Sequence, residues 1–330
     1  MMKQKDMIKP VPLAFAPYLK SVIWGGNKIC AYKGIDECAD KIGESWEISA
    51  VPGHESVVVS GEYDGQNIVE LIDCYGESLL GSKVAARYGG SFPLLVKIID
   101  AADNLSVQVH PDDELAKRRH NSLGKTEMWY IIDIDPGAKI YAGLNHDSSA
   151  AEYEAKVADG TFQDLLAVHD SNPGDVFFLP AGRVHAIGAG NLLAEIQESS
   201  DVTYRIFDYN RRDAQGNTRE LHTELAKDAI DYKFHSDYKS PAPDAAQADA
   251  TIVECSHFTV RRLALSGEMP VSFSADSFAV LMCLKGECTL SFPSGETRMH
   301  AGQTLLLPAV MCAESPLKLI GEATLITAQA

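Results

Sequence analysis

Beyond residue 250 the chain runs as short apolar stretches, 258–265, 278–284, 288–292, 304–307 and 323–327, each broken by turn-forming or charged residues. Strands this short, recurring at roughly ten-residue intervals, point to a small sandwich or barrel. The same rhythm opens the chain, where 11–13, 22–24, 44–49 and 56–60 read as extended pieces separated by turn residues such as Pro52-Gly53. Residues 236–250 are small, polar and proline-bearing, the composition of a linker. A chain of 330 residues is long enough for two domains, so the predicted division is 1–235, a linker at 236–250, and 251–330.

The first part mixes the two periods. Asn67 with Glu70 three residues on predicts a capped helix, and 83–88 reads as a second helical piece. Strands are expected at 92–100, an apolar run interrupted by Lys97, and at 105–110. Stretches 125–133 and 138–142 should pair as a hairpin around Asp135-Pro136-Gly137. Helical spacing returns at 150–158 and 162–168, strands at 176–179, 192–198 and 203–207, and a helix at 219–230. The expected class is mainly β, with small helical insertions.

Charge and composition narrow the partners. A net charge of −17 argues against nucleic acid or an anionic membrane, because both need a basic footprint. No apolar run is long enough to cross a bilayer, and the opening Met-Met-Lys-Gln-Lys-Asp has no export signal. The seven cysteines, without Cys-x-x-Cys spacing, suit buried reduced thiols in a cytoplasm.

Candidate chemistry centres on Ser106-Val-Gln-Val-His110, followed by Pro111. On a strand alternate side chains share a face, so Gln108 and His110 project together while Val107 and Val109 turn away. Glu127 falls in a second predicted strand, and His185 closes Pro180-Ala-Gly-Arg-Val-His, where proline and glycine fix a tight turn. Two imidazoles, a carboxylate and an amide oxygen suit Zn²⁺ or another divalent first-row ion, with positions left for substrate. Any one of these residues alone reads better as a satisfied core group; the set reads as a metal site. Lys97 inside an apolar strand needs a partner, and a dianionic phosphate would be one. Asp112 and Asp113 read as a helix cap rather than a catalytic pair. Trp24, Trp46 and Trp129 read as core or pocket walls.

Gly174-x5-Pro180-x-Gly182-x-x-His185 resembles the second cupin motif. Gln108-x-His-Pro-Asp-Asp113 with Lys125-Thr-Glu127 resembles the first motif as modified in type I mannose-6-phosphate isomerases. Trp24-Gly-Gly, Glu44-Ser-Trp-Glu, Pro93-Leu-Leu-Val-Lys97 and Ser200-Asp-Val-Thr-Tyr-Arg205 are also similar to that family, in its short bacterial form. The resemblance implies two cupin-like jelly-roll barrels, with one Zn²⁺ or similar ion per chain held by Gln108, His110, Glu127 and His185. It places Arg205, Asp201 and Lys125 in the catalytic centre and Lys97 and Ser106 on the substrate phosphate. Lys125 is the less direct transfer, because the family's Lys-Pro-Glu reads Lys-Thr-Glu here. The implied reaction interconverts mannose 6-phosphate and fructose 6-phosphate through an enediol. Asp201, Lys125 and a metal-bound water all stand as candidates for the base. The implied protein is cytoplasmic, monomeric or weakly self-associating, with a sugar phosphate as its partner. Competing readings are another metallo-cupin such as an oxygenase, or a sugar-binding cupin without turnover. Gly302-x5-Pro308 echoes the second motif but is followed by Ala-Val-Met-Cys, so the second barrel is expected to keep the frame and lack the ligands.

Overall fold

The computed structural model describes residues 6–212, 215–244, 246–314 and 316–330; the opening residues 1–5, read as free of an export signal, and position 245 of the expected linker lie outside them. Three antiparallel sheets carry the architecture. A six-stranded sheet runs in the order Tyr18–Gly26, Ile42–Ile48, Leu94–Asp100, Asn191–Glu198, Glu127–Ile134, Val176–Leu179. A five-stranded sheet runs Tyr204–Phe207, Val107–Val109, His185–Ile187, Lys139–Leu144, Leu166–Asp170. The two face each other across a shared core in which Ile99, Trp129, Ile131 and Leu193 of the first meet Ile140, Ala142 and Ile187 of the second. This closes the first barrel.

Strand Leu94–Asp100 shows why its sequence is apolar on both sides. Leu94, Val96 and Ile98 pack outward against the helical layer with Leu71, Leu79 and Val84. Ile99 turns into the barrel core, and Lys97 turns into the cavity beside it. A strand covered on both faces reads as a continuous apolar run. Helix Ile68–Tyr75 in that outer layer carries the expected capping box: the Asn67 side chain accepts from Val69 and Glu70, and Glu70 accepts from the Asn67 N–H. Asp112 likewise caps helix Asp113–His120 by accepting from Leu115.

The seven-stranded sheet, six strands from Asp249 onward joined by Leu13–Ala14, encloses its own core of Leu263, Leu281, Leu290, Leu305, Leu319 and Leu325. The mainly β class with cupin-type barrels is borne out. In the second barrel Gly302, strand Thr304–Leu307 and Pro308 repeat the frame of Gly174, strand Val176–Leu179 and Pro180, with both glycines at positive φ, 86° and 91°. Pro308 then opens the short helix Ala309–Cys312 instead of a turn delivering a histidine.

Several expectations are corrected. Strands Glu127–Ile134 and Lys139–Leu144 do not pair; the Asp135-Pro136-Gly137 turn passes the chain from the six-stranded to the five-stranded sheet. Turn chemistry reports a reversal but not which sheet receives the next strand. Residues 162–168 divide into a 3₁₀ turn, Phe162–Leu165, and strand Leu166–Asp170. The helix expected over 219–230 is only Thr223–Lys227, and Arg219 lines a cavity instead. Residues 56–60 make isolated bridges, Phe15 to Val58 and Val57 to Asn67, rather than a strand. The separate apolar pieces 278–284 and 288–292 are one strand, Ala279–Phe292, with a register shift between Cys283 and Lys285. Helix Lys28–Lys33 went unanticipated.

The linker is not free chain: Ser240 exchanges backbone hydrogen bonds with Val176 at 2.8 and 2.9 Å, and Tyr238 is buried. At the other end, strand Leu13–Ala14 pairs with Thr304–Leu307 of the second barrel. The cysteine reading also changes. Cys30 and Cys38 form a disulfide, Cys74 is exposed and Cys255 half-buried, while Cys283, Cys288 and Cys312 are the buried free thiols expected.

Candidate metal centre

Two rows of cross-strand neighbours face each other inside the first barrel. On the five-stranded sheet Gln108 is the register partner of His185 on one side and Arg205 on the other. Val107 and Val109 point away into a cluster with Leu115, Tyr204 and Ile206, as alternation requires. On the six-stranded sheet the row is Trp46, Lys97, Glu195, Trp129. Residues far apart in sequence become neighbours because antiparallel register fixes which side chains stand opposite.

The metal-site candidates converge. One donor atom each from His110, Glu127 and His185, all buried, lies within 4.8 Å of the others. His185 Nε2 stands 3.2 Å from Glu127 Oε1, and His110 Nε2 stands 3.5 Å from Glu127 Oε2. The Gln108 amide is 3.4 Å from both imidazole Nε2 atoms. The turn before His185 is built for this delivery: Gly182 sits at φ 90° and donates to the His110 carbonyl at 2.9 Å.

The protonation pattern fits a cation. His110 Nδ1 and His185 Nδ1 each meet a backbone carbonyl at 2.9 Å, those of Val202 and Arg183. A carbonyl can only accept, so both imidazoles carry their proton on Nδ1 and present a lone pair at Nε2. Burial holds both rings neutral, His185 down to about 3 and His110 well below its ordinary value. Glu127 Oε1 is buried with no hydrogen-bond donor. Three acceptors turned toward one point, with carbonyls orienting the rings from behind, are the donor set of a divalent ion. Rotating the Gln108 amide by a half-turn would add its oxygen. Lys125 borders the set, paired with Glu127 and 3.2 Å from His110 Nε2. Burial pushes the Glu127 carboxyl up from its ordinary range.

Beside this cluster opens a cavity of about 390 Å³, walled by Trp24, Trp46 and Trp129 as expected. All the remaining sequence-predicted residues reach it: Ser106, Asp201, Arg205 and Lys97. Ser106 is buried and donates to Gln108 at 3.3 Å, whereas Asp201 is exposed at the rim. Arg205 donates to the Glu220 carbonyl at 2.9 Å and keeps a buried Nε without a hydrogen-bond partner.

The partner that Lys97 needs is supplied from within the protein. The Lys97 ammonium lies 2.9 Å from Glu195 and 3.7 Å from Glu44, so its counter-charge is already inside the protein. Burial is the largest single effect on each group of the Lys97–Glu195 pair and opposes its charge. The neighbouring charges and hydrogen bonds together outweigh it, holding Lys97 above its ordinary pKa and Glu195 well below the usual carboxylate range. Trp129 donates to Glu195 at 2.8 Å and Trp46 to Glu44 at 2.7 Å, fixing both carboxylates. Sequence reading gave no site role to Glu44, Glu195, Lys20 or Arg219, all in the cavity wall. Glu195 did leave a signal, a carboxylate in the apolar strand 192–198 matching the lysine in 92–100. Arg219 left none, because its segment reads as helical.

Comparison with known proteins agrees with this geometry. Residues 13–146 match the sequence family "Phosphomannose isomerase type I, catalytic domain", and residues 248–329 match "Mannose-6-phosphate isomerase, cupin domain". The chain is 36% identical over 302 residues to mannose-6-phosphate isomerase ManA of Bacillus subtilis, covering 90% of this chain and 93% of that protein. It is 36% identical over 299 residues to the mannose-6-phosphate isomerase of Streptococcus mutans, covering 90% and 92%. The crystal structure of a Bacillus subtilis mannose 6-phosphate isomerase superposes with a TM-score of 0.86 at 31% identity, over 97% of this chain and 99% of that one.

Proposed function

Because the chain belongs to the type I phosphomannose isomerase family, we propose that its first barrel interconverts mannose 6-phosphate and fructose 6-phosphate at a site holding one Zn²⁺. The convergence of His110, Glu127 and His185 beside a tryptophan-walled, cation-bearing cavity carries this reading. An ion held there by those three and Gln108 would supply positive charge next to the oxygens of an enediolate.

The chain's own groups account for the rest. The tryptophan walls exclude water from the opened sugar, which raises the weight of every charge inside. Arg205 would meet the negative charge that develops on oxygen, a role supported by its standing next to Gln108 in register. Asp201 at the rim is a carboxylate that can carry a proton between neighbouring carbons, while Lys125 on the floor is already engaged by Glu127. With Lys97 satisfied by Glu195, the phosphate falls to the Ser106 hydroxyl and to Arg219, whose Nε and Nη2 are held by Asp208. Lys97 then acts by orienting Glu195. An oxygenase would have no use for this cationic wall. The setting we infer is cytoplasmic, and no helix among the described residues is long and apolar enough to cross a membrane.

The test is metal removal and readdition with mannose 6-phosphate, fructose 6-phosphate being detected by a coupled assay. Turnover should vanish with chelator and return with Zn²⁺. Activity indifferent to chelation would sink the metal assignment, and a metal-loaded protein without turnover would sink the isomerase assignment.

A further inference from the structure

A second group of metal-ligating side chains lies outside the catalytic barrel's cavity. Asp113 at the start of helix Asp113–His120, Glu198 at the end of strand Asn191–Glu198 and His257 between strands Asp249–Glu254 and Thr259–Val271 place one donor atom each within 4.8 Å of one another. The first two belong to the first barrel and the third to the second.

The polar accounting at this junction is incomplete without a ligand. The Glu198 side chain is 2% exposed; Oε2 accepts from the Thr126 N–H at 2.8 Å, but Oε1 has no hydrogen bond. His257 Nδ1 forms an ion pair with that Oε1 at 2.9 Å, off the direction of a hydrogen bond, so neither atom is hydrogen-bonded. The Tyr88 hydroxyl is a third buried atom without a hydrogen-bond partner, and Glu198, Asp113 and Cys255 are among its electrostatic neighbours. Buried polar atoms without hydrogen bonds are rare, so several in one place call for an occupant. An imidazole nitrogen and two carboxylates are the ligands of a zinc-like ion, which accepts bonds of about 2 Å and needs no hydrogen between its donors. Asp113 is exposed, which gives an ion access from solvent.

We propose that Asp113, Glu198 and His257 bind a second divalent cation, Zn²⁺ or a close relative, as a clamp between the two barrels. Its place in the fold gives it a consequence. Glu198 holds Thr126, the neighbour of Glu127, and Asp113 accepts from Gly124 at 2.8 Å, just ahead of Lys125. The clamp thus ties the second barrel to the segment that carries the metal-ligand candidate Glu127, without touching substrate.

The experiment loads metal-depleted full-length protein with Zn²⁺, removes excess by gel filtration and counts zinc by mass spectrometry. Wild type should retain two ions per chain, His185→Ala one and His257→Ala one. Competition with a chromophoric chelator should show at least a tenfold weaker second site in Asp113→Asn, which keeps an oxygen for Gly124 and changes only an exposed position. That variant answers the question if His257→Ala does not fold. Zinc should also raise the melting temperature of His185→Ala but not of the His185→Ala/His257→Ala double variant. One zinc in wild type that disappears with His185→Ala would overturn the clamp while leaving the catalytic site intact. So would two zincs in His257→Ala, or an unchanged affinity in Asp113→Asn.

Discussion

Lys97 and Glu195 stand opposite each other in the middle of the six-stranded sheet, both buried, with Glu44 beyond. Removing one partner of such a pair leaves a charge with little solvent to receive it, so Glu195→Gln should cost about 3 kcal/mol in denaturant unfolding. The sign of the pH dependence follows from the shifts. Glu195 is held below the usual carboxylate range, so its contribution is full above its unfolded pKa of about 4.3 and is lost as pH falls below that value. Lys97 is raised, so its contribution is full below its unfolded pKa of about 10.4 and is lost as pH climbs past its folded one. The acid loss of stability should therefore shrink in Glu195→Gln; an unchanged acid limb would show that the pair is not formed in solution. At the metal cluster, His185→Ala should abolish both bound metal and turnover. Arg205→Ala should keep the metal and lose about 10²–10³-fold in rate, and loss of its metal would show that Arg205 supports the ligands instead.

Among the elements, the turn from Pro180 to His185 does the most positioning. Gly182 adopts φ 90°, and an added Cβ would meet the Ala229 carbonyl at 3.0 Å. Gly182→Ala should cost about 1–3 kcal/mol and lower zinc occupancy with it, because the strained turn misplaces His185; a destabilised variant with full zinc would separate turn from site. Asp112 fixes the helix that follows His110-Pro111, and Asp112→Ala should lose about 1 kcal/mol, the usual worth of an N-cap. Caps and tight turns of this kind depend on a few adjacent residues, which is why Asn67, Asp112 and Gly182 were legible from sequence. The pairing of 125–133 with 138–142 was not, since it depended on which sheet had room for the next strand.

On the scale of the molecule the two barrels share one packed core. Phe92 of the first packs on Phe278 of the second with ring centroids 4.6 Å apart, and Val96, Ile98, Val260 and Val280 share the same core cluster. Strand Leu13–Ala14 completes the edge of the second barrel's sheet, and Ser240 is stitched to Val176. Phe278→Ala should cost about 3–5 kcal/mol, and both barrels should melt together in calorimetry. Two separated transitions, with the catalytic half unaffected, would show that the second barrel is only appended.

The sequence by itself determined the class of fold, through strand spacing, and the candidate ligand group, through the two motifs around His110 and His185. Both are local signals, carried within a few residues by alternation, turn chemistry and side-chain type. Only the tertiary structure decided that Lys97 already has its counter-ion, that Arg219 reaches the cavity, and that Asp113, Glu198 and His257 meet where the barrels join. Those facts depend on strand register and on the docking of segments more than 50 residues apart, and distance of that kind leaves no trace in a local pattern.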